Sequence, residues 1–392
     1  MADTTEVFSQ YGSGKKGEKL FDMNEFQKMQ LLSLIAISGD FPAESLISLG
    51  SLSYKQKLIT QLKQDKLITV YNRDGHKSYR LTAKAKRELL SVNSSRFEFY
   101  LTGNAETNLY RGDITRRLRL HRIAKVFIMM QKADVNIFRD EKPDIFTGAV
   151  SSVDTVGAVF DKPVFYDSRE IKCIGIDAIK IKNSRSVGIL ITQSTAYIIF
   201  NTLDTLLKWE SRSETKNLTV LSEYLRQLLG GNAPKEYKGL IIGDDIDIAT
   251  QILKSTGGYK RRYLMLDETY YNLLYLPNDE NGLLVLSILA SDTIRHELRS
   301  ILSYGLTEST SAFVDCDGID ADGTPVLFAY DLDVQRLARF NAGISNRRTH
   351  GKIMCFEFQE QVIRNYCNPD YITIRTISEA KFKRRFFSEQ NG

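Results

Sequence analysis

Residues 67–82, LITVYNRDGHKSYRLT, predict a β-hairpin, and this hairpin decides how the first part of the chain folds. Apolar and polar side chains alternate on both sides of Asp74-Gly75. An Asp-Gly pair between alternating segments is the strongest short-range signal for a two-residue hairpin turn. Four basic side chains lie at the tip and its flanks: Arg73, His76, Lys77 and Arg80. The hairpin is therefore expected to carry a positively charged tip.

Helical patterns surround this hairpin. Residues 23–39 carry apolar side chains at helical intervals and end at Gly39, a common type of helix C-cap. A short helix is predicted from Pro42, and a third helix over residues 51–66. The buried face of the third helix is predicted to hold Tyr54, Leu58 and Leu62. With a further helix after the hairpin, residues 22–92 have the order of a winged helix-turn-helix, in which the hairpin is the wing.

The charge of this segment predicts duplex DNA as its partner. Residues 51–92 contain ten lysines and arginines against three acidic residues, while the whole chain has a net charge of +5. Small polar and basic side chains opposite an apolar stripe suit a major-groove recognition helix, and cations on a wing suit phosphates. The predicted DNA contacts are Ser53, Lys55, Gln56, Lys57, Thr60 and Lys63 on the helix, and Arg73, His76, Lys77 and Arg80 on the wing. The alternative is a winged helix used only for protein contacts or dimerisation.

A second basic element follows the hairpin. Asp113 is predicted to cap a long helix over residues 114–133. Arg116, Arg119 and Arg122 recur at every third position of this helix and predict one broad basic face. That face is either a second phosphate-contacting surface or a solvated helix face whose side-chain stems lie on the core.

The composition bounds the class of protein. The chain has 392 residues, of which 42% are hydrophobic and 26% charged, as in ordinary soluble globular proteins. No apolar run approaches the roughly 20 residues that span a bilayer, and the N-terminus has no secretory signal. The four cysteines and four histidines are scattered, which argues against a disulfide framework and a zinc site. We therefore expect a cytoplasmic protein with no membrane association, no metal and no cofactor.

Beyond residue 132 strands and helices alternate, which predicts one α/β domain with a mixed sheet. Within it, residues 186–202 predict a hairpin, residues 261–267 a strand and residues 281–305 a long helix. The fold class is thus mixed, α+β or α/β, with an N-terminal winged helix-turn-helix followed by a larger mixed α/β domain. The predicted boundaries are a flexible leader (1–21), the winged helix-turn-helix (22–92), a connector and basic helix (93–131), the α/β domain (132–380) and a basic tail (381–392).

The stretch DSREIK, residues 167–172, allows two interpretations. If Glu170 and Lys172 lie on a strand and Asp144 lies nearby, the set matches a restriction-endonuclease-like nuclease. In such a site the two carboxylates hold Mg²⁺ and the lysine orients the attacking water. Alternatively, Asp167 and Glu170 form a capping box at the start of a helix that continues beyond Lys172. The capping pattern favours the helix, and Mg²⁺ is expected only in the nuclease alternative.

Several segments carry a resemblance to a known family. They are YRLTAKAKRELL, RRLRLHRIAKVFIMM, YDSREIK, SVGILIT, YIIFNTLDTLLKW and KGLIIG. Together they resemble the replication-relaxation proteins of plasmids and integrative conjugative elements over most of residues 24–300. The resemblance implies a DNA-binding accessory factor for replication or mobilisation of a mobile element, and it supplies no catalytic residues.

The expected function is therefore duplex DNA binding through the winged helix. The α/β domain is expected to form a homodimer or to recruit a relaxase or replication protein. Two alternatives remain open at this point. One is the metal-dependent DNA nuclease, and the other is a transcriptional regulator whose α/β domain senses a small ligand.

Overall fold

The structure, a computed structural model, describes residues 23–102, 113–146, 157–172, 184–258, 263–308 and 314–387. Helices and strands are interleaved along these residues, so the predicted mixed α/β fold class is confirmed. The predicted leader lies outside the described residues. No described helix is both long and apolar enough to cross a membrane.

The first part of the chain places helices around a small sheet. Its elements are α1 (Met23–Ser38), β1 (Phe41–Pro42), a 3-10 helix (Ala43–Leu49), α2 (Leu52–Gln64), β2 (Ile68–Arg73), β3 (His76–Leu81), α3 (Ala83–Val92) and α4 (Ser94–Leu101). The strands are antiparallel in the order β1-β3-β2. The hairpin turns at Asp74 and Gly75, both with positive φ. The predicted hairpin and the end of α1 at Gly39 are confirmed, whereas the predicted second helix is a 3-10 helix.

The predicted connector is more ordered than its polar composition indicates. It begins with α4, which packs against α1 and buries Phe97 and Tyr100. Residues 103–112 lie outside the described residues. Beyond them the predicted long helix is α5 (Ile114–Lys132), and the side chain of Asp113 caps it as predicted.

A five-stranded sheet forms the centre of the larger part. Its elements, with the helices between them, are β4 (Val164–Asp167), α6 (Ser168–Ile171), β5 (Gly188–Ile191), β6 (Thr195–Leu203), α7 (Ser211–Leu229), β7 (Glu236–Gly243), α8 (Asp247–Leu253), β8 (Leu273–Pro277), α9 (Glu280–Ala290) and α10 (Asp292–Leu302). The strand order is β4-β5-β6-β7-β8. Strands β4, β5 and β6 pair antiparallel, and β6, β7 and β8 pair parallel. The predicted hairpin over residues 186–202 is confirmed as β5 and β6.

A second sheet of four strands follows. Its elements are β9 (Gly318–Ile319), β10 (Pro325–Phe328), α11 (Val334–Arg347), β11 (Gly351–Phe356), α12 (Glu360–Tyr366), β12 (Ile372–Ile377) and α13 (Glu379–Phe387). The order is β12-β11-β10-β9, with only β9 antiparallel to its neighbour among the described strands. The prediction of one mixed sheet is therefore wrong. Strand β8 pairs with the segment between β10 and α11 through an isolated bridge between Leu274 and Asp333.

Three other local predictions differ from the structure. The described part of the predicted strand over residues 261–267 makes an isolated bridge at Tyr263, and the fifth strand of the sheet is β8 instead. The predicted long helix is divided because the hydroxyl of Ser291 caps a new helix, α10. The predicted tail begins inside α13, where Phe382 packs against Phe356 at 5.4 Å between ring centroids.

The five-stranded sheet is buried on both faces, which explains the apolar runs in β6 and β7. Ile199 and Leu240 belong to the core that includes α5 and α9, while Ile198 and Ile241 belong to the core that includes α7, α8 and α11. The first of these cores continues without interruption into α1, α2, α3 and α4. The hairpin, α5 and the sheet are therefore packed around one core.

Candidate nucleic-acid interface

Helix α2 has one buried face and one exposed polar face. The buried face holds Leu58, Ile59 and Leu62. Its first position is taken by Lys55 rather than by Tyr54, so the inward stripe is offset by one residue from the prediction. Five of the predicted DNA contacts are exposed together on the other face: Ser53, Gln56, Lys57, Thr60 and Lys63.

Lys55 does not belong to the exposed face on which the sequence placed it. Its side chain is only 5% exposed, and its amine donates a hydrogen bond to the side-chain carbonyl of Gln27 on α1. Burial lowers the pKa of Lys55. Tyr54, predicted to be buried, is 37% exposed. Lys55 therefore joins α2 to α1 and is unsuited to contact DNA.

The hairpin presents some of its predicted cations and buries others. Arg73 and Lys77 are exposed on the two sides of the turn. His76 is partly buried, with its ring 6.2 Å from the ring of His121 on α5. Arg80 is buried and faces the protein interior, against the prediction that it contacts DNA. The exposed cations at the tip of the hairpin are thus Arg73 and Lys77, and the exposed carboxylate of Asp74 lies 3.6 Å from Arg73.

The fully buried carboxylate of Asp40 is the common hydrogen-bond partner of the inward-facing polar side chains. One of its oxygens accepts hydrogen bonds from Ser78 Oγ at 2.6 Å and Arg80 Nε at 2.7 Å. The other accepts from Arg117 Nε at 2.9 Å and lies 3.1 Å from His121 Nε2. Burial opposes ionisation of Asp40, but hydrogen bonds from these four side chains hold its pKa well below the ordinary value. Asp40 is therefore a charged group that links β3 to α5.

Arg117 extends this network to the hairpin turn. Its side chain is fully buried, and its guanidinium donates to the carbonyl of Arg73 at 3.0 Å and to that of His76 at 2.9 Å. The ring of Tyr71 lies 4.0 Å from the Arg80 guanidinium carbon and 4.6 Å from that of Arg117. Helix α5 therefore holds the hairpin from behind. No sequence motif marks Arg117 or Asp40 as the residues responsible.

The predicted basic face of α5 is only partly at the surface. Arg116 is exposed, 3.6 Å from Asp113. Arg119 and Arg122 are partly buried, and Arg119 Nη2 lies 3.4 Å from the carbonyl of Ser186. Most of the circumference of α5 packs in the core, so its polar positions border neighbouring elements instead of forming one broad solvated face.

The DSREIK stretch forms the predicted capping box. Asp167 is the N-cap of α6 and its carboxylate accepts from the N–H of Arg169 at 2.6 Å. Glu170 Oε2 accepts from the N–H of Asp167 at 2.9 Å and from the amine of Lys142 at 3.0 Å. The capping interpretation is confirmed. Helix α6 ends after one turn at Ile171, with Lys172 as its C-cap, so the prediction that it continues beyond Lys172 is wrong. Residues 173–183 lie outside the described residues.

The residues of the nuclease alternative have other partners in this structure. Asp144 forms an ion pair with Arg139, and Arg139 Nη1 lies 3.7 Å from Glu170 Oε1. Both carboxylates therefore face a guanidinium, and Glu170 also faces the buried amine of Lys142. Within the described ranges, no group of three or more His, Cys, Asp or Glu side chains is placed to hold a metal ion. The third residue, Lys172, is the C-cap of α6, and Arg119, Asp167 and Arg116 are the charged groups that act on it.

No protein-family model, curated protein or solved structure matches this chain. The resemblance to replication-relaxation proteins therefore stays a prediction from the sequence.

Proposed function

We propose that this chain binds duplex DNA through α2 and the β2–β3 hairpin, which act as the recognition helix and wing of a winged helix. The observation that carries the proposal is the exposed face of α2. Five small polar or basic side chains are exposed there together, while the apolar side of the same helix is buried. Side chains of this kind read base edges in the major groove and contact flanking phosphates.

The hairpin supplies the phosphate contacts of the proposed interface. Arg73 and Lys77 project from its tip, and Arg117 fixes the carbonyl groups on both sides of the turn. A wing held in this way loses little conformational freedom on binding, so more of the electrostatic attraction appears as affinity. Arg116, next to Arg117 on the first turn of α5, is a further exposed cation and lies 3.6 Å from Asp113.

The biological role that fits this activity is that of an accessory protein. The sequence resemblance favours replication or mobilisation of a plasmid or conjugative element. In that role the part of the chain that follows α5 forms a homodimer or binds a relaxase or replication protein. The role rests on the resemblance alone, whereas DNA binding rests on the exposed face of α2.

The test is duplex binding by fluorescence anisotropy between about 50 and about 200 mM salt. Lys57→Ala and Lys77→Ala should each weaken binding and reduce the slope of log affinity against log salt by about 0.9, because each removes one phosphate contact. Lys216→Ala, which removes an exposed lysine on α7, is the matched control and should change neither quantity. Equal affinities and slopes for all three variants would remove the proposal.

A further inference from the structure

A second cluster of cations lies beside α5, away from the exposed face of α2. Arg119 and Arg122 extend from one side of the helix, one turn apart. Lys172 stands at the end of α6, and Arg185 lies just before β5. Arg119 contacts the carbonyl next to Arg185, that of Ser186. We name these four residues, Arg119, Arg122, Lys172 and Arg185, the α5 cation cluster.

The carboxylates that act on the cluster have other hydrogen-bond partners or lie at the surface. Asp167 is the carboxylate that acts on both Arg119 and Lys172, but its oxygens already accept from Arg169 Nε at 3.1 Å and Arg169 Nη2 at 2.7 Å. Asp204 and Asp244 act on Arg122; Asp244 is bound to the amine of Lys125, and Asp204 is exposed to solvent. Glu214 acts on Arg119 and Arg185, and its oxygens accept from the N–H of Arg185 and from Ser184 Oγ, each at 2.7 Å. Among the described residues, none of these carboxylates forms an ion pair with Arg119 or Arg122.

The donor groups of the cluster are also incompletely used. Among the described residues, Nε of Arg122 is buried without a hydrogen-bond acceptor. Arg119 Nη2 reaches its carbonyl acceptor only at 3.4 Å, at the long end for a hydrogen bond. A buried N–H without an acceptor is costly, because its bond to water has been given up and not replaced. The guanidinium groups therefore retain donors for an acceptor from outside the described chain.

Burial and mutual repulsion lower the pKa values of cations in the cluster. Burial, followed by repulsion from Arg119, lowers the pKa of Lys172 to about 8. Burial also lowers the pKa of Arg119 and of Arg122, and Arg185 adds repulsion to both. Like charges that are held together and partly removed from water repel one another, and a bound anion offsets this repulsion.

We propose that the α5 cation cluster is an anion site that takes a phosphate group. Arg119 and Arg122 would supply planar forks of N–H donors, which match the oxygen pairs of phosphate. Lys172 and Arg185 would complete the charge. The same chemistry is offered by a phosphodiester of a nucleic-acid backbone and by a free phosphate-bearing molecule. The site goes beyond the proposed function and does not require α2 to bind DNA.

The first arm of the test measures thermal unfolding of the full chain with sodium phosphate or pyrophosphate, against sodium chloride at equal ionic strength. Both anions should raise the Tm of the wild type. Arg119→Gln and Arg122→Gln should each weaken the anion affinity by about tenfold, the effect of losing a charge-assisted hydrogen bond. In chloride alone neither variant should lower the Tm, because each relieves repulsion. Arg226→Gln, an exposed arginine on α7, is the matched control.

The second arm repeats the duplex salt titration with the same variants. A phosphate response that Arg119→Gln and Arg122→Gln abolish, without a change in duplex affinity, identifies a free phosphate-bearing ligand. A smaller salt slope for duplex binding, by about 0.9 for each variant, identifies the phosphodiester. The proposal is overturned if both variants match Arg226→Gln in both arms.

The two proposals fail separately. Duplex binding that ignores Lys57→Ala and Lys77→Ala, together with a preserved phosphate response, removes the function assigned to α2 and leaves the anion site. Arg119→Gln and Arg122→Gln that both match Arg226→Gln, while Lys57→Ala and Lys77→Ala weaken duplex binding, remove the anion site and leave the function assigned to α2.

Discussion

Helix α5 carries basic residues on two sides, and their partners differ between the two sides. Arg117 and His121 are buried and converge on one carboxylate, Asp40. Arg119 and Arg122 are partly buried, and among the described residues neither has an acidic side chain within 4 Å. Basic residues recur at helical spacing on both sides, four residues apart for Arg117 and His121 and three apart for Arg119 and Arg122. What separates a structural cation from a candidate ligand-binding one is therefore the partner that the fold provides.

The energetics of the two sides differ accordingly. On the Asp40 side, buried charges are stabilised by attraction and by several hydrogen bonds, so removing the central group leaves charges without a partner. On the side of the α5 cation cluster, the charges repel one another, and removing one of them reduces this repulsion. The same class of substitution should therefore have opposite effects on stability.

The largest expected effect is that of Asp40→Ala. The substitution leaves Arg80 and Arg117 buried without their carboxylate, which typically costs about 3–5 kcal/mol. Chemical denaturation should show this loss in the free energy of unfolding, while Asp161→Ala, at an exposed position, stays near the wild type. A loss below about 1 kcal/mol would show that the Asp40 network does not hold α5 to the hairpin.

Glu170→Ala should have the next largest effect, about 2–3 kcal/mol, because it removes the capping box and the carboxylate facing Lys142. The two backbone carbonyls that also accept from Lys142, those of Ile137 and Phe165, limit the loss. The same variant decides the nuclease alternative. Magnesium-dependent cleavage by the wild type that disappears in a Glu170→Ala protein of unchanged stability would contradict the structural role.

A smaller effect is expected for the pH dependence of anion binding at the α5 cation cluster. The pKa of Lys172 is lowered to about 8, so Lys172 is charged below this pH and neutral above it. Arg116 and Arg119 on α5 and Asp167 at the end of β4 are the charged groups that act on it. Sulfate is a suitable probe because it remains a dianion throughout this range. Its affinity should fall severalfold as the pH rises from about 7 to about 9.

Lys172→Met supplies the control for this measurement. The variant should bind sulfate more weakly at neutral pH, because the cationic contribution is gone, and its affinity should not change over the same pH range. A pH dependence that persists unchanged in Lys172→Met would show that a group other than Lys172 titrates. Lys172 would then not belong to the anion site.

Local signals in the sequence predicted the local parts of the fold. Asp74-Gly75 predicted the hairpin, Gly39 the end of α1, Asp113 the start of α5, and the spacing of Asp167 and Glu170 the capping box. Each of these depends on residues within a few positions of one another. Such signals act through backbone geometry that is the same in any surrounding fold.

The remaining features depend on contacts between distant residues. Asp40 and Arg117 meet across a sequence separation of 77 residues, which no periodic pattern encodes. Lys55, and not Tyr54, lies on the inward side of α2 because its amine donates to the side-chain carbonyl of Gln27 on α1. The division into two sheets follows from strand pairing, and β8 is too short to be distinguished by its pattern.

The most direct test of DNA binding by α2 and the hairpin is a lysine-acetylation footprint of the full chain, with and without excess duplex at low salt. Lysines 57, 63 and 77 should lose reactivity when duplex is added, because phosphates cover them. Lys55 should react poorly in both states, since it is buried, and Lys216 should react equally in both. Lys57 and Lys77 that stay as reactive with saturating duplex as without it would contradict the account.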